Sequence, residues 1–444
     1  MSFVTERAAP RLDNAKKSNR VAFIARAVGS AAALVIFFLA ITWAARSGVI
    51  SLLTVYAAKT NQVAAANAAL SLNASDPDAH FVRGAILETK ADLGTAIVDY
   101  KQAIRARPDD YVLWLALARA QESNDDIAGA IASARQSVHL APYYARPHWL
   151  LGNILVRAGQ TEEGFRELRR AGASDNGLLP AIIDLEWQLS RGDAEFIKRA
   201  IQPVSPEFYK ALARDFKKRG KASDAIEMFR GAGPTANDER RQYLEELIAS
   251  KSFKEETLLW AVDHPPLSAG QLLDPGLEQQ SDLDEPGFGW RRNNKAKSLT
   301  LSLDANNPRE GRFSLRVDFN GDSDPGTPII SQLLLVEPRA HYQLRFAART
   351  EGIVSGGLPY VVVFDASSNN VLGQTKPFPE AKPDWQDYAI NFECGENTST
   401  IQLVLRRQPC SSSSCPVFGH LWLDNFSLAE VVSVHREISD RPKT

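Results

Sequence analysis

The spacing of apolar residues changes character twice along this chain of 444 residues. Between Arg26 and Arg46 runs AVGSAAALVIFFLAITWAA, 19 residues without a charge. From about Tyr56 to Val262, apolar positions recur every three or four residues, the period of amphipathic helices. Past VDHPPLSAGQ, where Pro265 and Pro266 stop the helical pattern, the period falls to two. SLTLSLD puts Leu299, Leu301 and Leu303 on one face. FSLRVDF (Phe313, Leu315, Val317, Phe319), YQLRF (Tyr342, Leu344, Phe346) and TIQLVL (Ile401, Leu403, Leu405) repeat the alternation. Strands divided by Gly, Asn, Asp and Pro turns, with no helices between them, predict an antiparallel sandwich of two sheets.

As a helix, the charge-free stretch just spans a hydrocarbon core of roughly 30 Å at about 1.5 Å per residue. Before it stand Arg7, Arg11, Lys16, Lys17, Arg20 and Arg26 against Glu6 and Asp13. Such basic flanks stay in the cytoplasm. The expectation is a single-pass inner (plasma) membrane protein, N-terminus inside and the bulk of the chain outside, in the periplasm if the cell is Gram-negative. A cleaved signal peptide is the rival reading; the 26-residue leader is long for one, and TWA before Ala45 is a poor cleavage site. A buried soluble helix is a third reading, weakened by the all-round apolar character.

Within the helical region a pattern repeats every 34 residues. Gly84, Ala118 and Gly152 form one small-residue series, Ala96, Ala130 and Gly164 a second, and Pro108 and Pro142 each follow a helix. Three units result: Pro77 to Asp110, Tyr111 to Tyr144, and Ala145 to Leu178. Later units are trimmed, NQVAAANAALSL upstream reads as a lone second helix that caps the array, and QYLEELIASKSFKEETLLWA reads as a final divergent pair. Period and residues resemble the tetratricopeptide repeat (TPR) family, in which helix hairpins bury their apolar faces by stacking into an α-solenoid. The resemblance implies a groove lined by first helices: Phe81 and Glu88, then Leu115, Arg119 and Glu122, then Arg146, Trp149, Asn153 and Arg157. Of these, Arg119, Trp149, Asn153 and Arg157 are the candidate partner-binding residues, offering charge-assisted and amide hydrogen bonds beside an aromatic surface. Asn153 falls where some family members clamp a C-terminal carboxylate, though the full clamp set is absent. The plainer readings are inter-repeat core for Trp149 and a solvated face for the charges.

The second half has LLDPGLEQQ, FGW, GRFSLRVDF, HYQLRFAART, WQDYAINF and HLWLDNFSLAEV in that order. It resembles the galactose-binding-like jelly roll of carbohydrate-binding modules, family 4/9. That resemblance implies a structural calcium held by Glu278 and Asp424 with backbone oxygens near Gly311 and Ser314, because a hard cation takes several oxygen ligands. It also implies aromatic platforms for sugar rings among Trp290, Trp385, Trp422 and Tyr360. Trp422 has opposite parity to Leu421 and Leu423 and is expected to be exposed; Trp290 and Trp385 equally suit core plugs.

The expected fold class is thus multidomain α and β: a basic tail (1–26), a transmembrane helix (27–45), the TPR-like α-solenoid (56–262), a linker (263–271), the jelly-roll β-sandwich (272–431) and a polar tail (432–444). With 51 Lys+Arg against 53 Asp+Glu, a nucleic-acid partner is not expected. Cys410 and Cys415 enclose four serines, a spacing that closes a small disulfide loop in an oxidising compartment, and leave Cys394 as a buried free thiol. No phosphate loop, nucleophile elbow, His-Glu-x-x-His or Cys-x2-Cys occurs, so no enzyme and no required cofactor are expected. The expected function is a membrane-anchored scaffold for envelope proteins, with surface polysaccharide assembly or export as the pathway that the two resemblances together suggest. The alternative is a glycan-binding protein whose solenoid is a spacer.

Overall fold

The computed structural model describes residues 11–279, 283–293, 298–322, 324–410 and 415–431. Residues 1–10 of the basic tail and the polar tail 432–444 lie outside the described residues.

Helix α1 (Arg11–Thr60) contains the charge-free stretch and does not stop where it ends. Its segment Ser30–Thr60 is long and apolar enough to cross a membrane by length and composition. Side chains from Leu34 to Trp43 stand exposed, whereas Ile50, Thr54 and Ala57 are buried. Ile50 and Ala57 pack on α2 (Val63–Leu72), the helix expected to be a lone cap. It is a second helix, as expected, but not a lone one: the end of α1 is the first helix of its hairpin. A single apolar run serving two environments concealed that boundary.

Twelve further helices follow in pairs: α3 (Pro77–Thr89) with α4 (Leu93–Ala106), α5 (Tyr111–Ser123) with α6 (Ile127–Leu140), α7 (Ala145–Arg157) with α8 (Thr161–Ser174), α9 (Leu179–Ser190) with α10 (Ala194–Ile201), α11 (Pro206–Lys218) with α12 (Ala222–Ala232), and α13 (Asn237–Ala249) with α14 (Phe253–Trp260). Aspartates start many of them: Asp76, Asp92, Asp110, Asp126 and Asp193 each accept a hydrogen bond from an amide of the first turn. The small-residue series marks where paired helices touch. A Cβ on Gly84 would lie 3.0 Å from the Tyr100 ring, and one on Gly152 2.8 Å from Leu168.

A second 34-residue series fixes each hairpin to the turn before it. The ring nitrogens of His80, Trp114 and His148 meet the carbonyls of Ala74, Pro108 and Pro142 at 2.9, 2.7 and 2.9 Å. The other nitrogen of each histidine meets a buried carboxylate, Asp99 at 2.9 Å and Glu167 at 2.5 Å. The Glu167 hydrogen bond holds the His148 pKa above its ordinary value despite burial.

The chain divides into two compact units, residues 1–202 and 203–444, so the last two hairpins belong with the sandwich. The sandwich has two five-stranded antiparallel sheets, ordered β1-β4-β9-β6-β7 and β2-β3-β10-β5-β8. Its strands are β1 (Arg291–Arg292), β2 (Leu299–Asp304), β3 (Ser314–Asp322), β4 (Ile330–Leu335), β5 (His341–Ser355), β6 (Pro359–Asp365), β7 (Val371–Gln374), β8 (Lys382–Glu393), β9 (Thr400–Arg407) and β10 (Pro416–Glu430). The residues picked out by alternation, among them Leu315, Val317, Phe319, Leu344, Phe346, Ile401, Leu403 and Leu405, form the core between the sheets. Cys410 and Cys415 are disulfide-bonded, and Cys394 is a buried free thiol pushed up to about 11 by burial.

Candidate functional site

The sheet β2-β3-β10-β5-β8 turns one face to the core and the other away from it. On the outer face, strand register places Ser302, Arg316, Trp422 and Arg349 in one row. The neighbouring row holds Thr300, Asp318, His420 and Glu351. Trp422 thus faces away from Leu421 and Leu423, as its parity predicts, but it is not exposed: 3% of its surface is accessible. The Arg349 guanidinium lies 3.8 Å from the indole centroid and Arg316 lies 5.2 Å from it, while the indole N–H donates to Asp304 at 2.8 Å. A floor tryptophan covered by two cations replaces the bare platform expected from sequence.

Trp385 on β8 is half-buried, with its indole N–H on the Asn307 carbonyl at 3.0 Å and Arg349 5.4 Å from its ring. Arg349 therefore lies against both indoles. It donates to the Asn306 carbonyl at 3.2 Å, no described carboxylate pairs with it, and its Nε is buried without a hydrogen-bond partner. Burial lowers its pKa from the ordinary guanidinium value. Arg316 differs, since Asp318 accepts from its Nε at 2.7 Å and raises its pKa. His420 bonds to the same Asp318, and Phe418, on the same side of β10, is half exposed. Hydrogen-bond donors around aromatic rings suit a hydroxyl-rich ring compound. Trp290 is no part of this face: it is buried in the core against Phe426 (5.0 Å), its N–H on the Asp274 carbonyl, so the core-plug alternative holds for it.

The two carboxylates named as calcium ligands converge on the loop 309–312. Glu278 accepts from the Arg312 amide at 2.9 and 3.0 Å. Fully buried Asp424 accepts from the amides of Arg309 (2.7 Å), Glu310 (3.2 Å) and Asn425 (2.6 Å). Burial raises the Asp424 pKa, and the nearby negative charge of Glu278 adds to the rise. Gly311 has φ +69°, a left-handed conformation that favours glycine, and lies directly against the Glu278 carboxylate. The backbone groups that meet these two carboxylates are N–H donors, so a hard cation here would have to share the carboxylate oxygens with them and draw further oxygen ligands from elsewhere.

On the helical side, the candidate cations already have partners. Arg119 donates to Glu88 at 2.7 and 3.0 Å, and Arg157 pairs with Glu122, each reaching back to the preceding first helix. Burial pushes the Glu88 carboxyl up, but hydrogen bonds from Arg119 and Tyr100 outweigh this and hold it below its ordinary range. Asn153 donates to the carbonyl of Trp149 one turn earlier at 2.8 Å, and Trp149 is half-buried. The structure therefore brings these four residues onto neighbouring first helices, with donors of Arg119, Asn153 and Arg157 engaged inside the protein. The sequence reading missed Arg349, Arg316, His420 and Phe418, whose β-strand parity with Trp422 or its paired positions was the available signal.

No family model and no curated protein matches the chain. Among solved structures, it is similar to MamA 41-end from Desulfovibrio magneticus RS-1, at 14% identity, covering 35% of this chain and 94% of that one, TM-score 0.31. It is similar also to a MamA RS-1 double mutant, at 18% identity over 38% of this chain and 96% of that one, TM-score 0.33. A third is the CBM22-1 xylan-binding domain of Paenibacillus barcinonensis Xyn10C, at 14% identity over 37% and 97%, TM-score 0.27. With every TM-score below 0.5, the functional reading rests on the side chains.

Proposed function

We propose that the chain is a membrane-anchored, extracytoplasmic scaffold of the TPR type, binding envelope proteins through its first helices and acting without a catalytic step. The carrying observation is α1, one helix whose first part exposes Leu34 to Trp43 and whose last part is the first helix of the array. Apolar surface costs about 25 cal/mol per Å² in water, and a bilayer removes that cost. The basic flank before it supports an extracytoplasmic body, because such flanks stay in the cytoplasm. Trp149, Asn153 and the outer faces of Arg119 and Arg157 form the docking surface, where a partner carboxylate competes with Glu88 and Glu122 for the guanidinium donors. In-cell cross-linking of the full chain tests this: a Trp149→Ala/Arg157→Ala variant should lose its cross-linked proteins, and an unchanged set excludes the surface.

A second reading, glycan binding by the sandwich, has its own support in the Trp385–Arg349–Trp422 face. It predicts saturable retention on envelope polysaccharide that Trp385→Ala abolishes while the protein partners remain. Within the sandwich we also propose that Glu278 and Asp424 hold a structural Ca2+, tying the entry segment to β10. A melting midpoint that rises with millimolar calcium over chelator in the parent, and not in Asp424→Asn, is the expected result.

A further inference from the structure

We infer that one edge of the helical array, formed by the turns 73–76, 107–110 and 141–144, rests on the lipid headgroups; this rests on α1 being a membrane span. About 20 helical residues cross the hydrocarbon, and the charge-free stretch ends at Arg46. The Arg46 guanidinium bonds to the carbonyl of Leu72, the last residue of α2, so the chain returning along α2 comes back to the level where the span ends. Helix α3 then rises alongside α1: Ile50 shares one cluster with Ala79, and Ala57, seven residues on, shares the next with Ile86, also seven residues on. Side chains link the successive turns along that edge. Arg107 grips Asp78 with two bonds of 2.8 Å, and the rings of Tyr111 and Tyr144 lie 5.3 Å apart. The opposite turns, at Lys90 and Asn124, lie about 20 Å higher, the length of a 13-residue helix at about 1.5 Å per residue.

The chemistry of the edge suits headgroups. Asp76 and Asp110 turn toward the amides of their own helices and Arg107 offsets Asp78, so exposed Asp109 is the carboxylate of these first two turns with neither role among the described residues. The third turn presents Tyr143 and Tyr144, 87% and 59% exposed, whose amphipathic rings favour the membrane–water interface. Val49, Leu52, Val55 and Tyr56 stay exposed on α1 beyond the span, continuing its apolar surface into the interfacial layer. The array is then held by a continuous helix, without a flexible linker, in one orientation to the membrane.

The test uses the full chain in phosphatidylcholine vesicles containing a lipid with a nitroxide on its headgroup. A fluorescent amino acid is placed singly at the exposed positions Ser75, Asp109, Tyr143, Lys90 or Asn124. Quenching at the first three should exceed that at the last two, several-fold at Ser75 against Lys90. Equal quenching at both edges, in protein that floats with the vesicles and resists carbonate extraction, overturns the inference. Protein that fails to float overturns the membrane span itself, a separate result.

Discussion

The Arg349 guanidinium lies over Trp422 without an ion pair to any described carboxylate, Asp304 and Glu351 acting on it only from a distance, so its place is held by the two indoles and the Asn306 carbonyl. A partly desolvated cation on a tryptophan face contributes about 1–2 kcal/mol. Arg349→Ala should therefore cost about that much in urea unfolding of the sandwich, and an unchanged midpoint would show the contact to be neutral. Trp422→Phe keeps the ring but strips the donor from buried Asp304, an expected loss of about 1–3 kcal/mol. Parity identified the face that Trp422 occupies, because alternation along a strand is a local property. What covers it was not legible: Arg316, Arg349 and Trp385 come from three other strands, brought together by register alone. The Glu278–Asp424 pair was legible only through the family resemblance, since 145 residues separate the two carboxylates along the chain.

Helix hairpins are joined by contacts that recur at one sequence interval, which is why this half of the fold could be read without a structure. Small residues appear where backbones approach, and their role can be measured. Gly152→Ala places a methyl 2.8 Å from Leu168 and 3.0 Å from the Gly164 carbonyl, so overpacking should cost about 1–3 kcal/mol. Gly94→Ala, in the first turn of α4 with nothing within 4 Å, should be neutral to stabilising, by at most about 0.5 kcal/mol. If thermal melts move the two variants in the same direction, close approach does not explain the 34-residue spacing of the small positions within this chain. The series His80, Trp114 and His148 escaped notice because its members differ in chemistry and share only a ring N–H aimed at a preceding carbonyl. The first hairpin escaped for another reason. Its opening helix is written in the same apolar alphabet as the span, and only burial distinguishes Ile50 from Leu52.

For the whole molecule, buried acids set the pH at which folding is strongest. Glu186 in α9 and Glu256 in α14 are fully buried, and neither carboxyl has a hydrogen-bond partner. Burial pushes each up to about 8, against weaker opposition from Arg169 and Arg291 respectively. Unfolded, each would titrate near 4.3. The folded chain thus binds more protons between those values, and stability falls as pH rises from about 4.3 to about 8. His148 acts in the same direction: its raised pKa gives stability that is full below the ordinary histidine value and lost as pH climbs through the folded one. Glu88, Glu167 and Glu239, held low by their partners, act oppositely, their contribution vanishing only as pH falls below the ordinary carboxylate range. Stability should therefore peak on the acid side of neutrality, near about pH 5. Glu186→Gln/Glu256→Gln should leave the melting midpoint at pH 5 nearly unchanged and raise it at pH 8, by a gain on the order of a few kcal/mol. Parallel curves for parent and variant across that range would mean that both carboxyls ionise in the folded chain at little cost, and that water or a cation reaches them there.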